Sequence, residues 1–254
     1  MRADLRGGYG YARHTHDCYV IAVTESGGSQ VFSRGVSEAA DASVLFVSNP
    51  AEVQASWMSG SPRWQHRSFY LDSNGIAEVA RSFGLENVPG FMRSFAGDPE
   101  LITRLLALHR MFEEASDPFG EREAFVETFA KLFRRHGSGR MPIEPGPRDG
   151  ALLQRAIRLM RERYAEPLLL DDVAEALGLS SFQLIGLFRR GIGLTPHAYL
   201  TQVRLDAARK RLRRGHAIAS TAVECGFYDQ SSLTRHFRRC YAMTPKQFIR
   251  SSRL

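Results

Sequence analysis

Two stretches of this chain repeat one another. "VAEALGLSSFQLIGLFRRGIGLTPHAY" (173–199) aligns with "AVECGFYDQSSLTRHFRRCYAMTPKQF" (222–248). Ala174 and Gly178 match Ala222 and Gly226 at an offset of 48. Leu184, Phe188, Arg189, Arg190, Thr195 and Pro196 match Leu233, Phe237, Arg238, Arg239, Thr244 and Pro245 at an offset of 49. The inserted residue falls just after the glycine, where a turn absorbs it. Such self-similarity marks one supersecondary unit used twice. The unit reads helix, glycine turn, helix. Gly178 and Gly226 stand where a helix end requires a left-handed residue. Ser180 caps the next helix with Gln183 as its capping-box partner, and Asp229 holds the capping position in the second copy. Leu184/Phe188 and Leu233/Phe237, spaced i, i+4, hold the second helix of each copy to a core. The pattern is that of two helix-turn-helix units, at about 170–191 and 218–241.

Charge separates along the chain in the same way. The formal net charge is +7 over 254 residues. Residues 1–136 hold 14 Lys+Arg against 17 Asp+Glu, and residues 137–254 hold 20 against 10. Only the second part, net +10, suits a polyanion. Only Lys131, Lys210 and Lys246 are lysine; compositional bias accounts for arginine over lysine but not for the segregation. Ordinary helix packing would explain a single helix pair, whereas two copies in a basic segment favour DNA.

The N-terminal residues of the second helix of such a unit enter the major groove. The base-reading candidates are Phe182 and Gln183 in the first copy and Gln230, Ser231, Ser232 and Arg235 in the second. Arginine is bidentate to guanine and glutamine to adenine. The phosphate-contacting candidates are Ser180, Arg189, Arg190, Thr195, Arg238, Arg239, Thr244 and Lys246. The segment from Pro196 to Arg214 reads as a helix of ~28 Å at ~1.5 Å per residue. That length places two recognition helices near the ~34 Å repeat of successive major grooves.

"GSGRMPIEPGPRDG" (137–150) is rich in Gly and Pro and reads as a linker. It divides the chain into a domain at 1–136 and another at 151–254. The first domain opens with short runs rich in β-branched and aromatic residues, among them "CYVIAV", "SVLFV" and "RSFYL". These predict strands of a barrel or sandwich. Two helices follow. "DPELITRLLALHRMFEEA" has Asp98 as N-cap and Leu101, Leu105, Leu108 and Phe112 on one face; "EREAFVETFAKLFRRHG" places Phe125, Phe129 and Leu132/Phe133 together and stops at Gly137. Packing within the chain and dimerisation both suit them. The expected fold class is thus multidomain α+β, with a β-barrel plus helices before an all-α domain.

The residues 150–252 resemble the AraC/XylS family of bacterial transcription regulators, above all in "GFYDQSSLTRHFRRCYAMTP" and "LSSFQLIGLFRRGIGLTPHAYL". The resemblance implies a seven-helix domain on double-stranded promoter DNA, RNA polymerase as a partner, and a regulatory cupin-like N-terminal domain. Residues 13–71 resemble such a barrel. Two positions depart from the family pattern. Gly186 stands where the family usually has Arg, as its repeat counterpart Arg235 does, and Ala242 stands where Gly is common. The first departure implies that the second unit does much of the base reading.

"RHTHDCY" (13–19) places His14 and His16 on one face of a strand. Metal-binding cupins resemble G-x5-H-x-H followed by Glu and a later His. Here Val20, Ile21 and Gln54 occupy those places, so no metal site is expected unless another residue, such as His66, supplies a ligand. No phosphate loop or nucleophile elbow appears, and no catalytic residue or cofactor is expected. The barrel instead reads as a pocket for a small-molecule effector, with His14, His16 and Gln54 as polar groups and Tyr19, Phe32, Trp57 and Trp64 as walls. These aromatics equally suit a plain core.

No apolar run approaches the ~20 residues of a bilayer span, and no signal-like stretch opens the chain. Three cysteines, Cys18, Cys225 and Cys240, suit reduced thiols. A cytoplasmic regulator with no membrane partner and with a second copy of itself as a candidate partner is the leading expectation. A cupin enzyme fused to a DNA-binding module and a nucleoid-type architectural binder are the alternatives.

Overall fold

The computed structural model describes residues 1–7, 10–58, 60–115, 117–139 and 149–251. The chain divides into two compact units, Met1–Glu113 with Ala124–Ile143, and Glu114–Glu123 with Glu144–Leu254. Most of the expected linker, residues 140–148, lies outside the described residues.

The first unit is built on nine strands among the described residues: β1 (Arg2–Arg6), β2 (Gly10–His14), β3 (Tyr19–Gly27), β4 (Ser29–Ser33), β5 (Val36–Ala40), β6 (Leu45–Ser48), β7 (Gln54–Trp57), β8 (Arg63–Leu71) and β9 (Phe95–Ala96). They form two antiparallel sheets, ordered β1-β8-β3-β6-β9 and β2-β7-β4-β5. Among the described residues no ladder joins the two, so the expected barrel-or-sandwich unit takes the form of two separate antiparallel sheets. The larger sheet ends on β1 and on β9, a strand of only two residues.

Strand alternation assigns the faces. On β8, Trp64, His66, Ser68 and Tyr70 point one way and Arg67, Phe69 and Leu71 the other. The register Val20↔Tyr70, Ala22↔Ser68 and Thr24↔His66 carries the first face onto β3. Val20, Phe46 and Trp64 of this sheet then pack with Val31 and Ala40 of the other. The opposite face meets the helices. After α1 (Ser73–Ser82) come α2 (Pro99–Glu114) and α3 (Pro118–His136). Leu101, Leu105 and Leu108 of α2 are buried, as are Phe129, Leu132 and Phe133 of α3. Phe69 meets Phe129 at 5.8 Å. Asp98 caps α2 by accepting from the Leu101 amide at 3.0 Å. Phe112, expected on the buried stripe, is 41% exposed because it lies one turn from the helix end.

The second unit is helical: α4 (Gly150–Glu162), α5 (Leu170–Glu175), α6 (Ser181–Ile192), α7 (Pro196–Arg213), α8 (Ile218–Glu224), α9 (Gln230–Tyr241) and α10 (Pro245–Ser251). The repeat is visible as α5-turn-α6 and α8-turn-α9. Leu184/Phe188 and Leu233/Phe237 are fully buried. Around the second pair, Leu205, Ala208 and Leu212 of α7 join Ala222, Cys225 and Phe227 in one core. The central helix α7 packs on both α6 and α9. Each large apolar side chain buried in such a core contributes about 1.5–3 kcal/mol, which gives the repeat's matched Leu and Phe positions a structural reason, while its matched arginine pairs are exposed.

Candidate functional site

The two second helices of the repeat are fixed by local chemistry. Ser180 Oγ accepts from the Gln183 amide at 3.2 Å, and Gln183 Oε1 accepts from the Ser180 amide at 3.0 Å. The expected capping box is formed. Its consequence is that the Gln183 carboxamide oxygen is turned to the helix end, with its NH2 group left to donate to another partner. Asp229 caps α9 by accepting from the Ser232 amide at 2.6 Å. Both turns run through left-handed glycines, Gly178 at φ 67° and Gly226 at φ 81°.

On α9, Gln230, Ser231 and Arg235 are exposed, and with Thr234, Arg238 and Arg239 they line one open surface concavity. Ser232 does not belong with them. It is only 4% exposed, because it faces the core beside Leu233 in the first turn. Thr234 was not foreseen; its i+4 spacing from Gln230 places it on the same face. On α6, Phe182, Gln183 and Gly186 are half-buried, and Arg189 and Arg190 are exposed. A Cβ at Gly186 would lie 3.0 Å from both terminal nitrogens of Arg190, the far end of an exposed side chain that can move aside. Thr195 and Thr244 are caps. Thr195 Oγ1 accepts from the Ala198 amide at 3.2 Å, and Thr244 Oγ1 accepts from the Gln247 amide at 3.2 Å. Lys246 is exposed one residue into α10.

The first unit holds a cavity of about 550 Å³ between its sheets. Of the seven residues expected to form a pocket, it gathers His14, His16, Gln54 and Trp64. Tyr19, Phe32 and Trp57 lie elsewhere, and strand alternation is the reason. Tyr19 faces the helices, meeting Phe91 at 6.0 Å and Phe133 at 6.5 Å. Phe32 and Trp57 point out of the smaller sheet; Phe32 lies under the Arg13 guanidinium at 4.8 Å, and Trp57 is 43% exposed. The cavity is lined instead by Tyr11 of β2 and by His66 and Tyr70 of β8; the period-2 pattern starting from Trp64 would have located the last two.

The rings form a connected wall. Trp64 lies 4.2 Å from His66, Tyr11 stands edge-on to His66 at 6.4 Å, and His14 meets His16 at 4.9 Å. His16 in turn meets Tyr70 at 5.3 Å. Burial draws the His66 imidazole down to about 4, and burial with the neighbouring His14 also lowers His16. Trp64 Nε1 donates to Thr24 Oγ1 at 3.1 Å, and Thr24 Oγ1 donates to the Ala40 carbonyl at 3.1 Å. Among the described residues no three His, Cys, Asp or Glu side chains gather as a metal-binding group, and His66 does not join the His14/His16 pair in one. The cysteines are unpaired. No helix among the described residues is long and apolar enough to cross a membrane.

Comparison with known proteins bears on both units. Residues 6–129 match the model of the AraC-like ligand binding domain, and residues 173–251 match a helix-turn-helix domain model. The HTH-type transcriptional regulator YbfI of Bacillus subtilis is 25% identical over 224 residues, 88% of this chain and 81% of that one. The HTH-type transcriptional activator RhaS of Salmonella schwarzengrund is 25% identical over 251 residues, 96% of this chain and 88% of that one. A crystal structure of an AraC-type transcriptional regulator from Chromobacterium violaceum is 30% identical, covers 40% of this chain and 92% of its own, and has a TM-score of 0.38. The two family models and the sequence relatives cover the repeat and the sheet-rich unit alike, and this chain belongs to the AraC family of transcriptional regulators, with an AraC-like ligand-binding domain followed by a DNA-binding helix-turn-helix domain.

Proposed function

We propose that the chain reads promoter DNA chiefly through α9, and that a small molecule in the inter-sheet cavity controls this reading. The observation that carries the proposal is the exposed face of α9, where Gln230, Ser231 and Arg235 precede Arg238 and Arg239 on a helix fixed by its Asp229 cap. Arg235 reads a base, and Gln230 and Ser231 stand beside it. Ser232 anchors the helix instead. In the first copy, Phe182 offers apolar contact, and the NH2 group of Gln183 remains as a donor. Arg189, Arg190, Arg238, Arg239 and Lys246 contact phosphates, and the caps Ser180, Thr195 and Thr244 present helix N-termini to the backbone. The 18 residues of α7 span about 27 Å, close to the ~34 Å repeat of the major groove.

In this reading, residues 1–136 bind the effector through His14, His16, Gln54 and Trp64 and serve dimerisation. Residues 137–150 link them to the reader at 151–254. The protein regulates without catalysing a reaction, works in the cytoplasm, and acts on RNA polymerase at the promoter. The effector acts by differential affinity for two arrangements of the protein.

Selection of bound sequences from a random DNA pool, followed by mobility shifts across a salt series, tests the DNA reading. Arg235→Ala is expected to cost about 1–3 kcal/mol and to relax preference at one base position. Gly186→Ala leaves the preference unchanged. Equal changes in preference for the two variants overturn the asymmetry. A ratio of specific to competitor binding near one makes the protein an architectural binder instead.

A further inference from the structure

The inference that follows rests on the regulatory reading of the inter-sheet cavity and concerns what that cavity accepts. We infer that it takes an uncharged aromatic molecule carrying one hydroxyl, carbonyl or amide group, held between His66 of β8 and Gln54 of β7.

Size and charge set the first limits. The volume of about 550 Å³ lies within the range of small-molecule sites, about 300–1,000 Å³. No Asp, Glu or Lys lines it among the described residues. The guanidinium of Arg13, the one arginine there, lies over Phe32, which points out of the smaller sheet. The α-ammonium of Met1 also reaches the lining, where it donates to the Ser68 carbonyl at 2.7 Å and has the Glu113 carboxylate as its own counter-charge; an ion entering this space would leave water for a surface with no unpaired counter-charge. His66 and His16 add none near neutrality, since burial holds both below the ordinary imidazole range.

Two polar side chains then ask for a partner. His66 is 5% exposed, and its Nδ1 has no hydrogen-bond partner. Gln54 is 6% exposed, lines the same space from the opposite sheet, and its carboxamide makes no hydrogen bond among the described residues. Three other polar groups of the lining are already occupied: Trp64 and Thr24 bond to one another and to the Ala40 carbonyl, and His14 Nδ1 lies 2.6 Å from the Ala12 carbonyl. A buried imidazole nitrogen without a partner is costly, and a ligand group that bonds it, with the Gln54 amide on the opposite wall, recovers that cost.

Shape decides between the remaining ligand classes. The wall of Trp64, His66, Tyr11 and Tyr70 suits the face and edge of a flat ring. Val20, Val31 and Phe46 supply the rest of the surface. A polyol would set some of its hydroxyls against Val20, Val31 and Phe46, which cannot bond them, even where Ser56 and Ser68 meet others, and each unbonded hydroxyl counts against it.

The chain has two tryptophans, Trp57 outside the cavity and Trp64 in its wall. In a Trp57→Phe background, Trp64 is the sole indole reporter. The full-length variant is titrated with benzyl alcohol, benzamide, benzoate, benzylammonium and glucose while its emission is followed. Benzyl alcohol and benzamide are expected to saturate the signal, benzoate and benzylammonium to bind at least tenfold more weakly, and glucose to leave it unchanged. His66→Phe and Gln54→Met, each added to this background, are expected to weaken the neutral probes at least fivefold with no fall in the thermal midpoint. A charged probe or glucose binding as tightly as benzamide, failure of both neutral probes, or unchanged affinity in both pocket variants would overturn the inference. Mobility shifts on the selected DNA site run in parallel. Probe failure with DNA binding intact counts against the ligand class alone, and loss of sequence-specific DNA binding counts against the regulatory reading itself.

Discussion

The two turn glycines of the repeat offer a controlled perturbation. Gly178 and Gly226 both adopt left-handed backbone, at φ 67° and φ 81°. Alanine at either carries the same left-handed strain, roughly 1–2 kcal/mol, and the same small gain from restricting the unfolded chain. Their surroundings differ. A Cβ at Gly178 meets nothing within 4 Å, whereas one at Gly226 would stand 2.5 Å from the Tyr164 carbonyl oxygen and 2.8 Å from Arg204 Nε. Those two atoms bond each other at 2.8 Å, so the methyl group intrudes on a hydrogen bond as well as on backbone. Overpacking costs about 1–3 kcal/mol. Losing the Arg204 bond adds about 1–3 kcal/mol. Gly226→Ala is therefore expected to destabilise the helical unit by about 2–6 kcal/mol more than Gly178→Ala. Urea denaturation followed by far-UV circular dichroism measures the difference, and strain and unfolded-state contributions cancel between the variants. Two variants within about 0.5 kcal/mol of each other would refute the close-approach argument and leave only the conformational one.

Two further outcomes follow from single residues. Ala242 ends α9 in left-handed backbone at φ 55°, where the first copy has Gly193 at φ 71°. Ala242→Gly is expected to raise stability by about 1 kcal/mol, read as a higher urea midpoint, because it relieves that strain. For His66, the ordinary value of 6.5 falls to about 4 on burial. The folded state thus favours the neutral ring, so this contribution is complete above about pH 6.5 and is lost as pH falls toward 4. It is worth about 3 kcal/mol at ~1.36 kcal/mol per unit. His66→Phe is expected to flatten stability against pH in that window, as read by denaturation at fixed pH values; an unchanged slope would show that the ring is not desolvated in the fold.

The parts of this molecule that were legible in its sequence are those set by neighbours a few residues away. The Ser180/Gln183 capping box, the Asp98 and Asp229 caps and the i, i+4 pairs Leu184/Phe188 and Leu233/Phe237 are all local, and each stands where its spacing places it. The cavity was half legible. His14, His16, Gln54 and Trp64 came together, but Tyr19, Phe32 and Trp57 were chosen for aromatic character without regard to which side of the strand they occupy. A shift of one residue on a strand exchanges the faces. Ser231 and Ser232 show the same limit on a helix, since a 100° turn separates an exposed hydroxyl from one that is 4% exposed.

The sequence by itself determined that the chain carries a duplicated, capped helix-turn-helix unit in a basic segment, because caps, turn glycines and helical spacing act over one or two turns. Only the tertiary structure decided that the strands make two open sheets with a cavity between them and that His66 and Gln54 face it unpartnered. Pairing register, sheet closure and burial depend on residues far apart in the chain, and their side chains acquire a common environment only when the sheets meet.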